Sequence, residues 1–322
     1  MAVRATAWLL KNQEANGGWS TARSPGITGV ITTGLIQGAK LSPADPMVAK
    51  SLGYIEGLIS PKEGHIAGKD AKAGLLNYVT SVNVMALTAS GRDSHKKVVA
   101  DAAAFLRNLQ WDEGEGKNRS DDFFGGAGYD SKSRPDLSNT HFFLDALHEA
   151  GIPPNDPAYQ RALVFVSRCQ NLKGEHNDQA WADKVNDGSF IYSAAGGGST
   201  KSFDQPLQNG ALPGYGSMTY AGIKSMIYCG VRKDDPRIQG ALKWLRDNYT
   251  LDSNPGMPAG REEWGYFYYL HTASKALQLL GEDPFTDAKS TRHDWRREMV
   301  ERLEKRQSAD GSWTNPKDRW ME

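Results

Sequence analysis

Apolar residues recur along this chain at i, i+3, i+4 and i+7, the spacing that gathers them on one face of an α-helix. Val98, Ala102, Phe105, Leu106 and Leu109 form one such stripe. Ala158, Ala162, Phe165, Val166 and Cys169 form a second, and Ile238, Ala241, Leu242 and Leu245 a third. Their polar backs predict helices with one face in water. Asp45-Pro46, Asp156-Pro157 and Asp235-Pro236 share one start signal. Proline loses no helical hydrogen bond in the first turn, and the aspartate side chain can accept from an unpaired N–H there.

A second set of helices is expected over 28–39, 78–90, 139–150, 219–230 and 268–281, small and apolar on most sides with little charge. Such helices are buried on most sides. Each runs to a glycine (Gly38, Gly91, Gly151, Gly230, Gly281), the usual left-handed stop. The two sets alternate. Six outer helices, near 3–13, 46–59, 96–110, 157–170, 236–249 and 295–307, and five inner ones predict two concentric layers in a single domain over 1–322. A sixth inner helix is expected where the sequence stops at Met321-Glu322.

Four outer helices close on a glutamine that leads to a glycine and an aromatic residue: Gln13 to Gly18-Trp19, Gln110 to Gly128-Tyr129, Gln170 to Gly188-Ser189-Phe190 and Gln307 to Gly311-Ser312-Trp313. Where two more copies belong, 60–66 and 249–266 keep only a glycine. A motif recurring at such spacing marks a repeat architecture. The glutamine amide can bond helix-end groups left unpaired, and the indole can stack on it.

This glutamine-to-tryptophan pattern on alternating helices resembles the repeat of the terpene cyclase and protein prenyltransferase superfamily, which includes squalene–hopene cyclase. The resemblance covers essentially the whole chain and implies an all-α fold, an α/α toroid with any ligand at its centre. Aligned on their closing small-apolar pairs, the inner helices place Thr28, Thr80, Thr140, Thr219 and Leu270 at one level. Gly29, Ser81, His141, Tyr220 and His271 occupy the next. Threonine at a helix start is first a capping residue.

That register tests the chemistry the resemblance implies. Class II cyclases carry Asp-x-Asp-Asp-Thr, whose central acid protonates an alkene; here the stretch reads Asp136-Leu137-Ser138-Asn139-Thr140. Serine cannot supply so strong an acid. The acidic pair Asp121-Asp122 falls in a polar loop off the register. Prenyltransferases hold zinc with Asp-x-Cys and a histidine. The histidine position here holds Ile27, Val79, Asn139, Met218 and Tyr269, and Cys169 and Cys229 lie elsewhere. Zinc needs three or four spaced ligands, so no metal and no cofactor is expected.

What the register leaves is an aromatic centre. Tyr78, Phe142, Tyr215, Tyr220, Tyr266 and Tyr269 lie at or near inner-helix heads, with Thr80, Asn139 and Thr140 beside them. Aromatic walls suit an isoprenoid or other hydrophobic ligand; the same rings could equally fill the centre as core. His141 and His271 are an acid–base pair candidate, and Asp136 a third catalytic candidate. The expectation is a cyclase-like ring holding a prenyl or other lipidic ligand, its catalytic status open. The alternative is a non-catalytic ring that binds a peptide or partner protein.

Composition removes other classes. Lys plus Arg and Asp plus Glu balance at 38 each, and no basic groove with interleaved aromatics favours nucleic acid. No apolar run reaches the ~18 residues of a membrane span. Two cysteines give no disulfide framework. The acidic run 111–116 lacks the ligand spacing of a calcium loop, and Gly196-Gly197-Gly198-Ser199-Thr200 lacks the lysine of a phosphate loop. Met1 enters the first helix almost at once, with no room for a natural leader, so a trimmed form lacking its natural N-terminus is the expectation. Cytoplasmic and exported addresses are both compatible with the residues.

Overall fold

The computed structural model describes residues 1–69, 75–204 and 206–318, and within these the chain is almost entirely helical. In order the helices are α1 (Ala2–Lys11), α2 (Gly26–Thr33, continued by a π-turn over Gly34–Gly38), α3 (Pro46–Glu56), α4 (Leu76–Ala89), α5 (Lys96–Arg107) and α6 (Leu137–Glu149). They continue with α7 (Pro157–Arg168), the single turn α8 (Ala182–Val185), α9 (Gly216–Tyr228), α10 (Pro236–Asp247), α11 (Tyr266–Leu280) and α12 (Trp295–Arg306). A two-residue antiparallel pair, Phe285–Thr286 with Arg292–His293, precedes α12. The all-α expectation holds.

The three Asp-Pro starts behave as the sequence implies. Asp45, Asp156 and Asp235 each accept from the N–H two residues on, at 3.0, 2.9 and 2.9 Å. The outer helices end one to three residues earlier than the apolar stripes suggested, and the four glutamines belong to the turns that follow. Inner helices begin two or three residues earlier than expected; in α6 the start is set by Asp136, which caps the N–H of Asn139. The expected sixth inner helix would lie beyond 318, outside the described residues.

Inner helices pack in succession, α2 on α4, α4 on α6, α6 on α9 and α9 on α11. The glutamines join the outer layer. Gln110 Nε2 donates to Gly125 O in its own turn (2.9 Å) and to Ala158 O at the start of the next outer helix (3.0 Å). Gln13 does the same to Gly17 O and Met47 O, and Gln170 to Gly188 O and Arg237 O. Gln307 reaches Gly311 O and then Met1 O (3.2 Å), so the last outer helix is tied to the first. The outer layer thus returns on itself. The indoles cap their own helices: Trp19 Nε1 donates to Leu9 O and Trp313 Nε1 to Leu303 O, both at 2.8 Å. These are end carbonyls that the helix cannot satisfy internally.

The motif copy that follows Gln110 has a different register from the expected one. Its glycine is Gly125, and the aromatic place is taken by Ala127, not Tyr129. Position is set by backbone contact: at φ +85°, a Cβ on Gly125 would lie 1.8 Å from Arg161 O. Gly17, Gly188 and Gly311 meet Lys50, Gly240 and Arg4 backbone in the same way. Gly64, in the stretch thought to keep only a glycine, also has positive φ and faces Asp101 O.

Each turn is locked to an inner helix by the aligned threonines. Trp19, Ile66, Ala127 and Phe190 N–H groups donate to Thr28, Thr80, Thr140 and Thr219 Oγ1, at 3.0–3.2 Å. The threonines are therefore not helix caps. They lie inside the first turn, where Thr140 and Thr219 return their own proton to the carbonyl four residues back.

Candidate functional site

Three inner helices carry charge on faces that are otherwise apolar. Asp145 on α6 and Lys224 on α9 are 1% and 0% exposed. Lys224 Nζ donates to Asp145 Oδ2 at 2.6 Å and to His141 Nδ1 at 2.9 Å. An ammonium has no acceptor, so His141 Nδ1 carries no proton and the neutral ring keeps its proton on Nε2. That nitrogen donates to Tyr268 Oη at 2.6 Å, and Tyr268 donates to Ser138 Oγ at 3.1 Å. A continuous hydrogen-bond chain thus runs Lys224–His141–Tyr268–Ser138.

The charges in this chain follow from burial and neighbours. Burial, then the Lys224 ammonium, pushes His141 down to about 3. Burial lowers Lys224 to about 8, against the pull of Asp145. For Asp145, burial alone would raise the pKa, but the Lys224 and Lys275 ammonium groups overcome it and hold the carboxyl well below its usual range. At neutral pH the pair is ionic and the imidazole uncharged. Burial first, and Lys275 and Lys224 second, lower His271 as well. His271 keeps accessible surface although protein surrounds it, with Phe142 stacked at 6.5 Å.

Ser138 and Tyr268 are where the chain meets open space. They line a cup-shaped cavity of about 540 Å³ at the inner-helix heads. Its wall is largely aromatic, with Tyr78, Tyr129, Tyr192, Tyr215, Trp264 and Tyr268. Ile27 and Met218 add aliphatic surface, and Lys201 stands 4.5 Å over the Tyr192 ring. Burial pushes Tyr78 up to about 12 and raises Tyr192, Tyr215 and Tyr268 further, so all are neutral phenols at pH 7.

The residues singled out from the sequence fall into three places. Tyr78 and Tyr215 line the cavity, and Phe142 lies just below it, 4.8 Å edge-on from Tyr78. His141 sits in the buried chain, and His271 lies beneath the cavity. Tyr220, Tyr266 and Tyr269 belong to the packed core, where Tyr266 and Tyr269 hydroxyls hold Leu251 O and Thr250 O at 2.7 and 2.6 Å. Thr80 and Thr140 are the turn locks already described. Asp136 is an N-cap whose carboxylate also takes Asn139 Nδ2 at 2.9 Å, and burial raises its pKa against those bonds.

Asp145, Lys224 and Lys275 did not emerge from the sequence register as site residues, although a signal was present. Each places a charge on an inner helix with little other charge, in Phe-Leu-Asp145-Ala, Gly-Ile-Lys224-Ser and Ala-Ser-Lys275-Ala. Among the described residues no group of three or more His, Cys, Asp or Glu is arranged to hold a metal. No described helix is long and apolar enough to cross a membrane. Compared with known proteins, the chain matches no family model, and no curated protein matches it.

Proposed function

We propose that this protein binds a lipidic ligand in the aromatic cavity at its inner-helix heads, as a cyclase-like ring without the usual proton-donating acid. The cavity carries the proposal. A space of about 540 Å³ walled by six aromatic rings is of the size and character of small-molecule sites. Tyr78 and Tyr268 stand on packed helices, while Tyr129, Tyr192, Tyr215 and Trp264 come from the turns beside the helix heads. The hydroxyl of Tyr268 adds one polar point on the wall, fixed from behind by His141.

The position of the cyclase acid supports a change of chemistry. Ser138, which stands where that acid would be, does reach the cavity, but it accepts a hydrogen bond from Tyr268. Two ammonium groups lie below it. A positive interior disfavours a carbocation, whatever the aromatic walls offer.

The test is native mass spectrometry of the purified chain, followed by calorimetric titration of dodecanol. Binding is expected in the wild type, and Ile27→Trp, which plugs the cavity from α2, should abolish it while leaving the melting temperature nearly unchanged. Dodecanol binding that survives Ile27→Trp, or no binding by either method, defeats the proposal. The peptide-binding alternative gains if a plugged ring still captures a partner.

A further inference from the structure

The charges at the interior do not cancel. Lys224 and Lys275 bring two ammonium groups from α9 and α11, and against them α6 sets one buried carboxylate, Asp145; its second, Glu149, lies half-exposed at the helix end beside Tyr228. His141, His271 and the adjoining Tyr228 and Tyr268 phenols are neutral at pH 7, each with its pKa shifted away from the charged form. The cluster therefore carries one surplus positive charge. The surplus sits on Lys275. Lys224 is fully engaged by Asp145 and His141, whereas Lys275 Nζ is 4.0 Å from Asp145 Oδ2 and 4.0 Å from Met85 Sδ. Neither contact is a good hydrogen bond for an ammonium. Its side chain is 27% accessible.

Tyr268, on the cavity wall, begins the face of α11 that leads to Lys275. Tyr268, His271 and Lys275 are spaced i, i+3 and i+7, on one face of α11. Lys275 lies about 10 Å along the helix from Tyr268 at the normal rise. Phe142 bridges the interval, its ring 6.3 Å from Tyr268 and 6.5 Å from His271.

We infer that Lys275 anchors the head group of a monoanionic amphiphile, a long-chain carboxylate, whose chain lies along the Phe142, Tyr78 and Tyr268 wall. The inference rests on the cavity reading above and adds the ligand's chemical class. One carboxylate neutralises one surplus charge and supplies the ammonium with the oxygen acceptor it lacks. His271 is placed to give the second hydrogen bond, as a neutral N–H donor. A diphosphate would instead overturn the balance and leave negative charge in a region of low dielectric.

Calorimetry on the full chain separates the possibilities, with dodecanoate, dodecanol and inorganic phosphate as probes. Dodecanoate is expected to bind about 10- to 100-fold more tightly than dodecanol, the margin of a charge-assisted hydrogen bond. Lys275→Gln should remove that margin and leave dodecanol binding intact, while Lys275→Arg restores it and Lys201→Gln, at the cavity rim, preserves it. Inorganic phosphate should not bind measurably. Equal binding of the two amphiphiles, a preference that persists in Lys275→Gln, or tight binding of phosphate alone overturns the inference while the cavity stands. Failure of both amphiphiles to bind removes the cavity reading itself, and this inference with it.

Discussion

Replacing Lys224 with methionine tests whether the buried ion pair is understood. Methionine is close in length and apolar, so packing is nearly preserved. What remains is Asp145, 1% exposed and charged, with its 2.6 Å partner gone. Removing one member of a buried pair costs about 3–5 kcal/mol, because the other is left uncompensated. Lys275 stands 4.0 Å from the same oxygen and softens the loss, which places the expectation near the lower end, about 3 kcal/mol. The paired variant Lys224→Met with Asp145→Leu removes both charges and should return to within about 1 kcal/mol of the wild type. The two sites should then be coupled by about 2 kcal/mol or more in a double-mutant cycle. Urea unfolding followed by circular dichroism reads this, provided the slope m stays constant. A single-variant loss below about 1 kcal/mol, or additive losses in the pair, would refute the reasoning.

Other expectations follow from particular contacts. Gly125→Ala puts a Cβ 1.8 Å from Arg161 O at φ +85°, so more than about 3 kcal/mol should be lost or the chain should fail to fold, whereas Gly151→Ala, with open space around it, should cost far less. Thr140→Val leaves the Ala127 N–H buried without its acceptor, and denaturation should show a loss of about 1–3 kcal/mol. Lys224 titrates at about 8 folded and near 10.5 unfolded, so below pH 8 both states hold the proton, and between those values the unfolded chain binds more. Stability of the wild type relative to Lys224→Met should therefore rise with pH across that window, and a flat or falling difference would contradict it. Cys169 and Cys229 are buried with pKa values pushed up by burial, so neither should react with an aromatic disulfide reagent until the chain unfolds.

Much of the site was only partly legible in the sequence. The inner register singled out His141, which is buried, and Tyr78 and Tyr215, which line the cavity. It could not tell a ring that lines space from one that fills it, since Tyr220 and Tyr269 lie near the same helix heads as Tyr78 and have the same chemistry. That distinction depends on the neighbouring helix. The threonine level was visible as a pattern but not as a function, because its partner is a turn N–H nine to 29 residues away. The glutamines were readable as helix-end ligands, but not as links between successive outer helices.

The sequence by itself determined the two kinds of helix, their alternation, their caps and the glycines at their ends. All of these depend on residues within a turn or two of one another. It also placed Ser138, not an acid, two residues after Asp136. Tertiary structure decided the rest. Only the folded chain brings Asp145, Lys224 and Lys275 from three helices into one dry interior, where their sum of charge acquires a cost. Dielectric and distance set that cost, and neither exists until the helices pack.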